Sequence, residues 1–360
     1  AVFALGFCVG LLSGRVPYDL GFAIGLGAVL ALLRGRLAAA LVLAVLTSVA
    51  SPVAGAFLAL AGLAMALAGL AERGSGRARS GDWEPPAGAE ETAGSADWRR
   101  GGTLCAAALI PIVVLGLAYP DGGYEPFAAS AFWPALAGVL PIALLLPRGP
   151  LTPHAWRVLR VGAALYALAL IGAFAIHTPV GGNAARLGPL LAAPLLVGML
   201  WDRRRLILLG LAAPLLYWQL ATPIHDYSSI AGDPSVNASY YAPVLAELRR
   251  LDGGRPTIVE VPLTAAHWES AYLAGHDGIS LARGWERQLD TRYGAIFYRP
   301  TLTAPAYRAW LEENRVSYVA LPDTRLDKAG AQEGALVAHG LPYLRELWRS
   351  PHWRLYRFMG

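Results

Sequence analysis

Long apolar runs fill the first 221 residues, each closed by a short break that carries arginine. This repetition constrains the fold more than any other feature. A helix needs roughly 20 apolar residues to cross a hydrocarbon core of about 30 Å. The runs lie at Ala1–Leu12, Tyr18–Leu33, Leu37–Leu70, Thr103–Tyr119, Phe127–Leu146, Val158–Ile176, Leu187–Trp201 and Leu206–Ala221. Charged residues make up 15% of the chain, against about 25% in soluble domains, and they are unevenly spread. Residues 222–360 hold 15 basic and 15 acidic residues, and residues 1–221 hold 15 and 10. The chain therefore reads as predominantly α: a polytopic transmembrane helical bundle over 1–221, followed by a small α/β domain over 222–360 that is large enough for its own core.

One run is too long for a single span. Leu37–Leu70 is interrupted by Thr47, Ser48, Ser51 and Pro52, and a proline inside a helix removes a donor and clashes with the turn before it. Two short helices meeting near Ser51-Pro52 are expected, giving about nine helical segments in all. Cytoplasmic loops collect arginine. On the two-helix reading 13 arginines of 1–221 fall inside and only Arg15 and Arg186 outside; taking Leu37–Leu70 as one span reverses the first helices and gives 12 against 3. Both readings place residues 222–360 outside the cytoplasm. Trp156 and Trp201 on the inner side, with Tyr217 and Trp218 on the outer, suit an interfacial belt.

Residues 71–101 are poor in aliphatic side chains and read as a disordered cytoplasmic loop. "GFAIGLGAVL" at 21–30 lies inside a span with no strand before it, so Gly21 and Gly25 read as a small-residue packing face rather than a dinucleotide fingerprint. In the C-terminal part, helices are expected at Tyr241–Leu251, Ala265–Ala274, Ala304–Asn314 and Ala335–Trp348, and strands at Thr257–Val261, Val316–Leu321 and Trp353–Phe358. Such alternation points to a layered α/β domain.

Carboxylates are costly in lipid. Outside the 71–101 loop, residues 1–221 have only Asp19, Asp121, Glu125 and Asp202, and Asp202 has Arg203–Arg205 beside it. Asp19, Asp121 and Glu125 fall at outer span ends, with Arg15 and with His177, Asn183 and Arg186 of "HTPVGGNAARLG". Such a set suits chemistry on a lipid-linked phosphate, because arginine binds phosphate oxygens bidentately and a carboxylate or histidine takes a proton from an attacking hydroxyl. The plain alternative is ordinary loop charge, and "YPDGGYEPF" at 119–127 is a good turn.

In the C-terminal part, "ARGWERQLD" at 282–290 has helical charge spacing, pairing Arg283 with Glu286 and Arg287 with Asp290. It reads as a solvated face with Trp285 packed under it, or as a place where Trp285, Arg283 and Glu286 hold a polar acceptor. "AAHWESAYLAGHDG" at 265–278 has no metal-ligand spacing, and Cys8 and Cys105 in apolar runs form no framework. No metal site and no cofactor are expected, apart from a divalent cation that a phosphate donor could bring. With a neutral C-terminal domain and no basic stripe, nucleic acid is not a partner.

These residues carry a resemblance. "GRVPYDLG", "SPVAGAFLALAGLA", "GGNAARLG" and the tail "EVPLTAAHWESAYLA…LARGWERQLD…YRAWLEENRVSYVALPD…WRLYRF" resemble multipass membrane glycosyltransferases of the broad GT-C superfamily. Abundant Ala and Gly, with Lys328 as the one lysine, fit the GC-rich actinobacterial members. The resemblance covers most of the chain. It implies a polyprenyl-phosphate-linked sugar donor, a cell-envelope acceptor, an outward active site at the cell membrane and a C-terminal outward domain. It also implies a catalytic carboxylate in the first outward loop, after the first helix. The chain opens at Ala1 within an apolar run, so it is expected to be a fragment lacking that loop. That leaves Asp19, Asp121 and Glu125 as catalytic candidates, and Arg186, Asn183, His177 and Arg15 as ligands of the donor phosphate. A transporter would need polar groups at mid-membrane, and a non-catalytic scaffold would bind the envelope through its outward domain.

Overall fold

The computed structural model describes residues 8–79, 91–120, 123–145, 151–201 and 205–360. The chain divides into two compact units, one ending at Ile224 and one spanning His225–Gly360, close to the expected junction at 221/222.

The first unit is helical: α1 Val16–Leu33, α2 Leu37–Ala50, α3 Pro52–Arg79, α4 Glu91–Ala118, α5 Ala129–Leu145, α6 Pro153–Ala175, α7 Leu187–Leu200 and α8 Arg205–Ile230, the last running into the second unit. Among the described residues, five segments are long and apolar enough to cross a membrane: Val16–Leu33, Pro52–Arg73, Trp98–Ala118, Pro153–Ala175 and Gly181–Leu200. Helix α2, at 14 residues, extends only about 21 Å at 1.5 Å per residue.

The break within 37–70 falls where the serine and proline put it. Ser51 leaves the helical region (φ −157°, ψ 112°). Its hydroxyl accepts from the Ala54 backbone N–H at 3.3 Å, as an N-cap does, and Pro52 sits at the first helical position, where its missing N–H costs nothing. Ser48 donates to the Ala108 carbonyl at 2.7 Å, tying α2 to α4. The small-residue face of α1 is real. A Cβ on Gly21 would lie 2.9 Å from the Ser51 Cβ and 3.1 Å from that of Ala54, and one on Gly25 would lie 3.4 Å from Thr47 Cγ2. Glycine there lets the helices approach, as small residues do in apolar bundles. The 71–101 stretch is not a loop throughout: α3 runs on to Arg79 and α4 starts at Glu91, while the residues between lie outside the described set. Glu72 on α3 pairs with His154 at 3.1 Å and with Arg157, both on α6.

The second unit is a layered α/β domain. Its sheet has the order β2-β1-β3-β5-β4, from β1 Thr257–Glu260, β2 Ile279–Leu281, β3 Tyr318–Pro322, β4 Leu344–Arg349 and β5 Trp353–Phe358. β1 pairs in parallel with β2 and β3, whereas β5 is antiparallel to β3 and β4. The central strand β3 is buried along its whole length. Its Val319 and Leu321 pack with Tyr307, Leu311 and Val337, and its Tyr318 and Ala320 with Tyr241, Val244 and Leu248. This alternation covers both faces of the sheet. Helices α12 Ala304–Glu313 and α13 Lys328–Ala338 lie on one face and α9 Ala238–Asp252 on the other. Gly253, at φ +61°, closes α9 in the left-handed region, where glycine carries no Cβ penalty.

Two expectations need correction. Ala265–Ala274 forms only one helical turn, α10 Glu269–Tyr272, because the chain reverses at His267 with φ +56°. Ala335–Trp348 is not one helix: α13 ends at Ala338, Gly340 takes φ +88°, and Leu344–Arg349 is β4. The chain after Gly278 supplies β2 and then, through "ARGWE", the short helix α11 Arg287–Tyr293.

Candidate functional site

Two clusters of polar side chains stand out, one in each unit. The first is built at the start of α1 and the turn before α7. Asp19 lies in the first turn of α1, where a carboxylate complements the helix dipole. It is 5% exposed, and neither carboxylate oxygen has a hydrogen-bond partner among the described residues. Its room comes from Gly10, since a Cβ there would overlap the carboxylate. An orphan buried carboxylate is costly, which makes Asp19 a candidate for a functional site.

Arg186 ends a 3₁₀ turn, Gly181–Arg186, that leads directly into α7. Its guanidinium lies 5.7 Å from the Tyr18 ring centroid, over its face. Asp19, Glu125, Tyr18 and Arg15 are all within its electrostatic reach. The turn is seated on the segment before α5: Gly181, at φ +39°, packs so closely on the Glu125 backbone that no side chain would fit, and the Glu125 N–H donates to the Thr178 carbonyl at 3.1 Å. Tyr166 of α6 braces the same turn, donating to the Ala184 carbonyl at 2.8 Å and accepting from the Gly188 N–H at 3.2 Å. An edge-to-face aromatic chain, Tyr18–Phe57–Tyr166, ties the two sides together with centroid separations of 6.2 and 5.9 Å.

The sequence candidates thus sort as follows. Asp19, Arg186, Arg15 and Glu125 come together; Asn183 is half-buried on the same turn. His177 is exposed, with its ring 4.5 Å from that of Tyr124. Asp121 lies outside the described residues. Tyr18 and Tyr166 were missed. The signal for Tyr166 was a tyrosine inside an otherwise apolar run, "GAALYALAL", because a buried phenol hydroxyl needs a partner; the Tyr18 hydroxyl is buried with none among the described residues.

Beside this cluster opens a cavity of about 380 Å³. Phe22, one turn after Asp19, and Leu187 and Gly188, next to Arg186, line it near the polar residues; Val29, Met65 and Leu195 line it farther along the helices. Among the described residues the only polar side chain in its wall is Tyr166.

The second cluster is centred on Arg283, and it reverses the solvated-face reading. Arg283 is 7% exposed. It does not pair with Glu286, which is exposed at the start of α11. Its Nε donates to Glu260 at 2.9 Å, Nη1 to Asp290 at 3.1 Å, and Nη2 to Glu333 at 2.7 Å and to the Ala329 carbonyl at 3.2 Å. The Phe297 ring lies 3.7 Å from its Cζ. Tyr307 donates to Glu333 and Tyr298 to Asp290, both at 2.7 Å. Trp285, expected under the surface, is instead 52% exposed.

One guanidinium faces three buried carboxylates. Burial, reinforced by the Glu333 charge, pushes the Glu260 carboxyl well above its ordinary range against the pull of Arg283. Burial also raises Glu333 and Asp290. For Arg283 burial works the other way, but Glu333, Glu260 and Asp290 outweigh it and hold the guanidinium protonated. Glu260 Oε2 is buried with no hydrogen-bond partner among the described residues. No group of three His, Cys, Asp or Glu side chains among the described residues has metal-binding geometry. Comparison with protein families, characterised proteins and solved structures finds no match to this chain.

Proposed function

We propose that the chain is a membrane glycosyltransferase-like protein that transfers a sugar from a polyprenyl-phosphate-linked donor to a cell-envelope acceptor at the outer face. The observation that carries this reading is the orphan Asp19 carboxylate beside Arg186, at the head of an apolar cavity. On this reading Arg186 binds the donor phosphate, with Arg15 and the Asn183 turn assisting, and the lipid chain enters the cavity. Asp19 takes the acceptor hydroxyl proton as its oxygen bonds to the anomeric carbon. The bond from that carbon to the phosphate oxygen breaks, and Arg186 stabilises the departing phosphate charge.

The transporter reading is less well supported, because the cavity wall is apolar where a polar path would run. The test is binding and turnover of a radiolabelled polyprenyl-phosphate sugar by the chain in nanodiscs. Arg186→Ala should abolish binding, whereas Asp19→Asn should keep binding and lose transfer. Equal binding by wild type and Arg186→Ala would sink the assignment.

A further inference from the structure

The loops at the carboxyl ends of β1, β2 and β3 meet at one place. These three strands are parallel and adjacent, in the order β2-β1-β3. The chain leaves β1 toward β2 on one side and leaves β3 toward β4 on the other. Ligands of open α/β sheets bind in the crevice at such a reversal. Each loop delivers one side chain: His267 follows β1, Trp285 follows β2 and Asp327 follows β3. The His267 ring stacks on Trp285 with centroids 5.4 Å apart and planes 17° apart. Its Nε2 lies 3.8 Å from Asp327 Oδ2 and its Nδ1 lies 3.8 Å from Glu269 Oε1. That Nδ1 is buried without a hydrogen bond.

The arrangement is held, not incidental. His267 sits at φ +56°, a conformation uncommon outside glycine that persists only where neighbours enforce it. Its N–H donates to Thr264 Oγ1 at 3.0 Å, and Thr264 in turn is held by Glu269. Gly330 at the start of α13 lets that helix press on the Leu263 backbone, with a Cβ there only 2.6 Å from the Leu263 carbonyl oxygen. Trp285 stands two residues beyond the pinned Arg283, so it is presented from a rigid base. Even so, Trp285 is 52% exposed.

We propose that this junction is a carbohydrate-binding site, with a sugar ring lying on the open face of Trp285 and its hydroxyls bonding to Asp327 and His267. The negative face of an indole attracts the polarised C–H groups along one side of a sugar ring. A carboxylate accepts from hydroxyls and an imidazole both donates and accepts. With His267 covering one face of Trp285, the site is a one-sided platform, suited to a flat ring rather than a caged quaternary ammonium. The proposal does not rest on the glycosyltransferase reading.

The test is saturation-transfer NMR on the full chain in nanodiscs, with maltotriose, mannotriose and arabinotriose as sugar probes and choline as the cation probe. At millimolar concentration the ring C–H protons of at least one trisaccharide should receive saturation. Trp285→Ala should weaken that binding about tenfold, the scale of one aromatic stacking contact. Trp285→Phe should retain part of it with an unchanged melting temperature, and Asp327→Asn should weaken it while keeping the side-chain oxygen that caps α13. Arg186→Ala should leave it intact, which separates this site from the one in the helical unit. Transfer from none of the sugars, transfer indifferent to Trp285→Ala, or transfer from choline alone would overturn the proposal. So would brominated-lipid quenching of a tryptophan signal that Trp285→Phe removes, since Trp285 would then face lipid.

Discussion

Arg186 and Arg283 are both arginines taken out of bulk water near carboxylates, yet their surroundings are opposite. Arg283 is held at every nitrogen: three carboxylates and a carbonyl take four of its donors and an aromatic ring covers its face, while Glu260 Oε2 and Asp290 Oδ1 stay without a partner among the described residues. Arg186 has carboxylates within electrostatic reach, but the buried one, Asp19, has no hydrogen-bond partner for either oxygen among the described residues. The residues that follow Arg186, Leu187 and Gly188, line an apolar cavity. A closed network spends its hydrogen-bonding capacity on holding loops together. An open one keeps that capacity for a ligand and bears the energetic cost while empty.

The largest expected difference follows from removing each charge. Arg283→Ala leaves Glu260, Asp290 and Glu333 buried with no counter-charge, and breaking a buried network in this way costs about 3–5 kcal/mol. The C-terminal domain of the variant should unfold far below the wild-type temperature, or fail to accumulate. Arg186→Ala should melt with the wild type. Matching thermal shifts for the two variants, read by differential scanning fluorimetry in the same detergent, would erase the distinction drawn above.

A second test sharpens the functional half. Arg186→Lys keeps the charge and loses the planar fork. Charge-assisted hydrogen bonds contribute roughly 1.5–3 kcal/mol, so donor-lipid affinity should fall by about tenfold to a hundredfold with no change in melting temperature. Radioligand binding in nanodiscs measures it. An affinity within twofold of wild type would reduce Arg186 to a point charge.

The third contrast is with pH. Burial raises the folded-state affinity of Glu260, Glu333 and Asp290 for protons above their ordinary values near 4.5 and 3.8. The folded domain then binds more protons than the unfolded chain, so stability falls as pH rises. This stabilisation is complete below the unfolded carboxylate range and is lost as pH climbs through the raised folded values. Asp233 works in reverse: hydrogen bonds from Thr324 and Ser235 overcome its burial and lower it, so its contribution fades only in acid. Urea unfolding from pH 5 to pH 8 should give a declining free energy, with a slope of at most about 1.4 kcal/mol per pH unit for each proton. Glu260→Gln should flatten the slope. A rise over that range would mean that all three carboxylates are ionised and that Arg283 dominates them.

What the sequence made legible divides along the same line. Apolar runs report burial in any order, so most of the apolar helices, the break at Ser51-Pro52 and the glycine face of α1 could be read directly. So could the gathering of Arg15, Asp19, Glu125 and Arg186, because helices that alternate in direction fix which ends meet. "ARGWERQLD" could not be read, because helical spacing says nothing of a residue that lies just before a helix. Arg283 follows β2 and precedes α11, and its partners lie 23, 7 and 50 positions away. The same long-range pairing defeated the expected helix at Ala265–Ala274, where a loop holding His267 against Trp285 overrides local propensity.

The smallest effect concerns the brace between the two halves of the Arg186 site. Tyr166→Phe removes one hydroxyl and leaves the ring in its contact with Phe57. The Ala184 carbonyl and the Gly188 N–H both lose that partner. One net hydrogen bond contributes about 1 kcal/mol, so thermal stability should drop only slightly. The turn that carries Arg186 is held by that hydroxyl on one side and by the Glu125 backbone on the other, so losing it should loosen the guanidinium without removing it. Donor affinity should therefore fall severalfold, less than for Arg186→Lys, and the double variant should fall by less than the sum of the two, because both act on one contact. Full additivity in that double-mutant cycle would show that Tyr166 supports the helix packing alone and does not position Arg186.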